Sequence, residues 1–414
     1  MILVENKLGL YMNIKTYNKT PGALFDYSSN YFKEINTILD NGTYLTRKDD
    51  SIIRVEKQSN IESKRGEELL FYIRMNKNDI FSLENPVPMK NIPISNDNIN
   101  NLNNKIWYVL NSNNPNFPNG NEDYFLSQSD IIKIGNIRLY VQDIHIKDKQ
   151  ENQDNIIKDN NLIKYDINLL NKNGGPIFNF YPGPKKYYIS FDEIKDKDRG
   201  VICNFCTKKE CNIDDPIITF CDCKTYYHFK CLKESLKKRI KKKENVNKTV
   251  KNYYIKGLYC EECKANFPLK FKITESEKTF ELIDIIKPEK GNYLILESLD
   301  CKIYYGSIKL VFVIELLNEN EITIGRKKEN DITICDPSIS KEHAEISYRN
   351  GNILIKNKNS KYGTLILVKK PIKINDKLIL IQIGRTIIEA RQMRFGEFDK
   401  MKLKNVRRHL PKKD

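Results

Sequence analysis

Four short segments in the last third of the chain decide its fold. They are Ile324-Gly325-Arg326, Asn330-Asp331-Ile332, Asp336-Pro337-Ser338-Ile339-Ser340-Lys341-Glu342-His343 and Asn357-Lys358-Asn359-Ser360-Lys361-Tyr362-Gly363-Thr364. Each is dense in Gly, Asn, Asp, Ser or Pro, the residues that close turns. Between and around them lie β-branched and aromatic stretches at 310–316, 344–348, 353–356, 365–368, 378–383 and 386–390, without helical periodicity. Short strands alternating with turns predict a β-sandwich. The turns carry a forked cation (Arg326), a hydroxyl (Ser340) and two lysines (Lys341, Lys361). That donor set suits a phosphate group.

The four segments, in this order, resemble the forkhead-associated (FHA) family. The resemblance implies a sandwich over 290–395 that binds phosphothreonine-containing proteins at loops gathered at one end. It gives Arg326, Ser340, Lys341 and Lys361 to the phosphopeptide, and makes Gly325, His343, Gly363 and Thr364 the residues that shape and brace the loops. His343 is read as a brace, not as a catalytic group. One departure concerns the bound peptide's backbone. Tyr362 stands where the family places an Asn.

Upstream, over 198–272, lies a second pattern: Cys203-x2-Cys206, Cys221-x-Cys223, His228-x2-Cys231 and Cys260-x2-Cys263. Paired thiolates and an imidazole at this spacing are zinc ligands, and eight ligands make two tetrahedral sites. A cross-brace is expected, with Cys203, Cys206, His228 and Cys231 on one ion and Cys221, Cys223, Cys260 and Cys263 on the other. Two zinc ions would hold together a domain too small for a core of its own. Cys211 is read as a bystander, and Cys301 and Cys335 as small core residues.

The order of four Cys, one His and three Cys resembles the RING-CH variant of the RING finger. The run at 232–241 is expected to form the helix that follows the central ligands. The resemblance implies a ubiquitin ligase that positions a loaded conjugating enzyme and needs no catalytic residue of its own, with Phe205 as an anchor for that enzyme. Two features depart from the pattern. Four residues separate Cys223 from His228, a spacing similar to PHD fingers, and Ser235 stands where a Trp is expected. Two readings of the zinc module therefore stay open: a ligase module, or a structural part of a non-enzymatic phosphoprotein-binding scaffold. A finger followed by an FHA domain resembles the two-part ubiquitin ligases of protists.

Residues 1–195 read as β-rich, with Asn-rich loops between strand-like pieces. The hairpin at 130–141 and the one at 377–388 share the reading strand, Gly turn, strand. They leave open a second, degenerate sandwich of the same type, beside the plainer reading that hairpins with Gly turns look alike. Residues 396–414 are expected to be a basic, solvated tail.

The fold class is thus mainly β and multi-domain. The net charge of +16 accompanies an excess of Asn, Lys, Ile and Tyr. It is attributed to that composition, and no nucleic-acid partner is expected. No apolar run reaches the length of a membrane span. The N-terminal stretch carries Glu5 and Lys7 and lacks a secretory layout. A chain in the cytoplasm or nucleus, with no membrane partner, is expected.

Overall fold

The strand Gly306–Leu316 shows why the chain folds as it does. Its apolar run has no polar face because both faces are covered. Leu310, Phe312 and Ile314 enter one core, whereas Val311 and Val313 enter another. A strand buried on both sides reads as a continuous apolar stretch. Burial of each such side chain contributes about 1.5–3 kcal/mol.

The computed structural model describes residues 7–17, 32–48, 52–57, 67–84, 102, 105–110, 123–146 and 201–401, except 211, 213, 222, 224, 274–275, 290, 300–301, 304–305 and 370. The described chain is mostly strand. Cys211, Cys301 and residues 402–414 lie outside the described residues. Residues 395–401 are helical, and Phe398 is buried against Tyr11, with ring centroids 6.0 Å apart.

Two sandwiches share one long sheet. In the first, a five-stranded sheet runs in the order Ile332–Thr333, Glu321–Gly325, Ala344–Arg349, Asn352–Asn357, Asp123–Phe125. It faces Gly306–Leu316, Asn292–Ser298, Ile137–His145, Ile131–Ile134 and Thr364–Leu367 of the long sheet. Leu139, Leu296, Phe312, Ile324, Ile346 and Ile355 share the core between them. In the second, Ile372–Ile374, Phe81–Glu84, Glu67–Met75, Thr43–Lys48 and Ile52–Lys57 face Ile106–Leu110, Ile379–Ile383, Thr386–Arg394, Leu8–Tyr17 and Phe32–Leu39.

Strand pairing crosses the expected boundaries between 1–195 and 290–395. Each sandwich is completed by a hairpin from the other half of the chain. The hairpin Ile131–Ile134/Ile137–His145 pairs Ile132 with Ile366 and Leu139 with Ser298. The hairpin Ile379–Ile383/Thr386–Arg394 pairs Ile381 with Tyr108 and Ile388 with Ile14. The short strands that precede the hairpins are exchanged as well: Tyr124 pairs with Ile355, and Lys373 with Ser82.

The two halves meet where Ile106–Leu110 pairs antiparallel with Thr364–Leu367. Ile366 lies opposite Tyr108, flanked by Leu365 opposite Val109 and Leu367 opposite Trp107. The arrangement is two-fold symmetric about the Tyr108–Ile366 pair. The hairpin turns correspond as well: Gly135 has φ +58° and Gly384 φ +57°. The first central residue of such a two-residue turn needs positive φ, which favours Gly.

Gly135 carries a second constraint. A Cβ there would collide with the side chain and carbonyl of Ser338, and the neighbouring Asn136 N–H donates to Ser338 Oγ at 2.8 Å. A Gly135→Val variant is expected to lose about 2–4 kcal/mol in urea denaturation. Its amide exchange should rise across 338–343. Gly384→Val, strained alike but remote from Ser338, should leave 338–343 protected until global unfolding.

Candidate binding loops and metal centres

Three loops converge at one end of the first sandwich: 326–331, 334–343 and 357–364. Backbone bonds tie the first two. Arg326 N–H donates to Ser340 O at 3.0 Å, Lys327 N–H to Lys341 O at 3.2 Å, and His343 N–H to Ile324 O at 2.8 Å. Their approach is so close that a Cβ on Gly325 would collide with the Lys341 carbonyl. Asn330 donates from Nδ2 to Lys327 O at 2.9 Å and to Lys341 O at 2.8 Å, fastening the same pair of loops.

His343 joins the second loop to the third. Its ring accepts from Ser340 N–H at Nδ1 (3.1 Å) and donates from Nε2 to Gly363 O (3.1 Å). Both bonds need one neutral tautomer. Burial holds the ring neutral, pushing its pKa down to about 4 from 6.5. In the third loop, Asn357 Oδ1 accepts from Ser360 Oγ at 2.5 Å and from buried Thr364 Oγ1 at 3.0 Å. Gly363 sits at φ +65°.

The exposed ends of these loops are cationic. Arg326 Nε donates to Ile339 O at 3.2 Å, which anchors the stem while the residue stays exposed. Ser340 Oγ accepts from Lys361 N–H at 3.1 Å and is half-buried. Lys341 and Lys361 are exposed, with Lys361 Nζ 5.3 Å from the Tyr362 ring. All eight residues expected at this site therefore lie on these loops or at their ends. Sequence reasoning passed over Ser338, which links the loop at 334–343 to Gly135 and Asn136. It also passed over Asn357, whose signal was its place within the fourth quoted segment. Cys335 is exposed, a correction to its reading as a core residue. The strand Ile332–Thr333 is only two residues long, so Cys335 falls in the loop beyond it.

The zinc module brings its ligands together as two sets. Cys203, Cys206, His228 and Cys231 form one; Cys221, Cys223, Cys260 and Cys263 form the other. Within each set the ligand atoms lie within 4.8 Å of one another. Thiolate and imidazole donors so clustered fit one tetrahedral zinc ion per set. His228 directs Nδ1 towards Cys206 Sγ at 3.1 Å, while its Nε2–H donates to Glu210 O at 2.6 Å. The second bond fixes the ligating tautomer.

The two Cys-x2-Cys turns are alike. Thr207 (φ +59°) donates its N–H to Cys203 O, and Lys264 (φ +61°) to Cys260 O, at 2.8 and 2.9 Å. Burial pushes the Cys203 thiol up, but N–H donors from His228, Cys206 and Phe205 outweigh it and bring the pKa to about 7. At Cys260 burial is likewise outweighed, by N–H donors from Cys263 and Glu262 and by Cys221 and Thr225, again to about 7. Burial and the neighbouring Cys203 push the Cys231 thiol up, and Cys263 pushes Cys223 up, so Cys203 and Cys260 are the members of their sets that most readily become thiolates.

The helix is Phe229–Lys237, with Leu232 and Leu236 buried. It begins earlier and ends earlier than the expected 232–241. Beyond it Ile240–Glu244 pairs as a strand with Val250–Lys256, which in turn joins Gly306–Leu316. Ile240 packs against the finger's core while the four residues after it stay exposed, and pairing with Val250–Lys256 holds them as a strand. The core of the finger is continuous with the sandwich. Phe220, Phe267, Phe271 and Phe280 pack with Ile295, Val311 and Val313 on the sheet's outer face. Polar bonds fasten the same hairpin to the first binding loop and the short strand after it. Asn245 Nδ2 donates to Asp331 Oδ1 (2.7 Å), Asn252 Nδ2 to Asp331 O (3.1 Å) and Tyr254 OH to Thr333 O (3.1 Å).

Phe205 is 49% exposed, with its ring 5.0 Å from that of Tyr227, and Ile202 is 40% exposed. Phe267 and Pro268 are buried, and Ser235 is half-buried.

The FHA domain family matches residues 322–384. The converging loops thus belong to an FHA domain, a module that binds phosphothreonine peptides. No curated protein matches the chain. Among the described residues no helix is long and apolar enough to cross a membrane.

The buried neutral His343 makes the site acid-sensitive. Its folded pKa lies below the ordinary value, so the unfolded chain takes up this proton first. The stability it contributes is present above about pH 6.5 and is lost as pH falls towards 4. Urea midpoints and phosphopeptide binding should both fall across that window. In a His343→Gln variant, less stable at neutral pH, this part of the pH dependence should disappear.

Proposed function

We propose that the chain, through its FHA domain at 322–384, holds a phosphothreonine-containing protein while its zinc module recruits a ubiquitin-conjugating enzyme. The single observation that carries the first half is the placement of Arg326. Its Nε and its N–H donate to Ile339 O and Ser340 O, so the side chain is anchored before any ligand arrives, on the loop that carries Ser340. Arg326 and Ser340 bind the phosphate, and Lys341 and Lys361 add positive charge around it. Gly325, His343, Gly363 and Thr364 keep the loops in shape. The phosphate then exchanges water for donors already fixed, which lowers the ordering cost of binding.

The second half rests on the ligand order, which resembles RING-CH, on the two ligand sets that fit zinc, and on exposed Ile202 and Phe205 beside the first zinc turn. In this reading the module supplies a docking surface, and the conjugating enzyme supplies the reactive thioester. A second reading, a non-enzymatic scaffold with a structural zinc module, is favoured by one observation. Phe267 and Pro268, which would widen the apolar surface around Phe205, are buried.

A phosphothreonine peptide should bind the full chain, and its unphosphorylated form should not. Loss of a charge-assisted contact costs about 1.5–3 kcal/mol, so Arg326→Ala should weaken binding by roughly ten- to a hundredfold without lowering the melting temperature. In an autoubiquitination assay with a panel of conjugating enzymes, the ligase reading expects chains that disappear in both Phe205→Ala and Cys260→Ser. A zinc-loaded, peptide-binding sample that makes no chains with any enzyme supports the scaffold.

A further inference from the structure

The hairpin that follows the finger's helix bears two faces of different charge character. On one face Lys242 pairs with Glu244 at 2.8 Å. On the other, Lys241 lies opposite Tyr254 and Lys243 opposite Asn252, and both lysines are exposed. Among the described residues neither forms an ion pair. Opposed residues in an antiparallel pair point to the same side of the sheet. Tyr254 and Asn252 point to the FHA domain, since they bond Thr333 O and Asp331 O. Lys241 and Lys243 therefore project on the face of the sheet that meets Asp331, at the end of the loop at 326–331, and Thr333 just before the loop at 334–343. Asn245, two residues beyond Lys243, bonds the Asp331 carboxylate. From there the loop leads back through exposed Glu329, Lys328 and Lys327 to Arg326. Lys327 is paired with Glu342.

We infer that the hairpin of the zinc module forms part of the phosphoprotein-binding surface, where Lys241 and Lys243 engage an acidic stretch flanking the phosphothreonine. The inference rests on the proposed phosphothreonine binding and adds a preference in the partner's sequence. The occupant follows from charge. A strand that neutralises its lysine on one face and leaves two bare on the face beside an anion site is complementary to further negative charge. Lysines also serve to protect an exposed sheet edge, and Ile240–Glu244 is such an edge. That role would leave peptide affinity independent of them.

The test uses full-length protein and three fluorescent phosphothreonine peptides in an anisotropy titration. One has neutral flanks, one has glutamates before the phosphothreonine, and one has glutamates after it. At low salt one of the acidic peptides should bind roughly three- to tenfold tighter than the neutral one, the size expected of two exposed ion pairs. The advantage should shrink at high salt. A Lys241→Gln/Lys243→Gln variant, with melting temperature and zinc content unchanged, should lose the advantage and keep its affinity for the neutral peptide. An acidic preference that persists in the variant, or no preference in the native chain, overturns the inference while phosphothreonine binding stands. Failure of all three peptides to bind removes the underlying reading as well.

Discussion

The structure depends on the antiparallel pairing of Ile106–Leu110 with Thr364–Leu367, centred on Tyr108 opposite Ile366. This contact welds two sheets into one and places each half's hairpin within reach of the other half's core. Neither sandwich is complete without it. The strands at Asn292–Ser298 and Thr364–Leu367 would otherwise present bare edges, which chains of this kind must cover. Trp107, Val109, Leu365 and Leu367 bury one face of the junction, and Leu110 and Ile366 share the core of the first sandwich on the other.

Two further attachments converge on the FHA loops. The turn of the exchanged hairpin reaches Ser338 through Asn136, and the zinc module's hairpin reaches Asp331 and Thr333 through Asn245, Asn252 and Tyr254. The loops at 326–331 and 334–343 are therefore braced by two separate segments that precede them in the sequence, one from the exchanged hairpin and one from the finger. Such bracing supports rigid, preset loops, which suits a site whose cation must wait in position. The finger's aromatic core lies on the outer face of the same sheet. The finger, the FHA domain and the N-terminal hairpin thus pack on one sheet, a consequence of Gly306–Leu316 being buried on both faces.

What was legible in the sequence was local. Ligand spacing at Cys203, Cys206, His228 and Cys231 reflects turn geometry, so the cross-braced sets could be read from residue order alone. The binding loops were likewise legible because Gly325, Gly363 and the Asn and Ser residues around them answer to backbone needs within a few residues. The hairpin exchange was not legible. Ile132 and Ile134 alternate about Lys133 as Ile381 and Ile383 alternate about Gln382, and an apolar face of that kind fits either core. The similarity of the two hairpins was visible; their destinations depend on contacts more than 200 residues apart, such as Ile132 with Ile366. The Lys-rich run after the helix misled for a related reason. Its lysines suit a helix or a strand, and the partner Val250–Lys256 decided between them.

Through the exchange the N-terminal half braces the converging loops of the FHA domain. Paired cysteine substitutions test it most directly, with the zinc thiols protected and cross-links mapped by mass spectrometry. Ile132→Cys combined with Ile366→Cys should give an intramolecular disulfide, while Ile132→Cys combined with Tyr108→Cys should give none. Efficient cross-linking of position 132 to 108, and none to 366, would place the hairpin back on its own half and contradict the account.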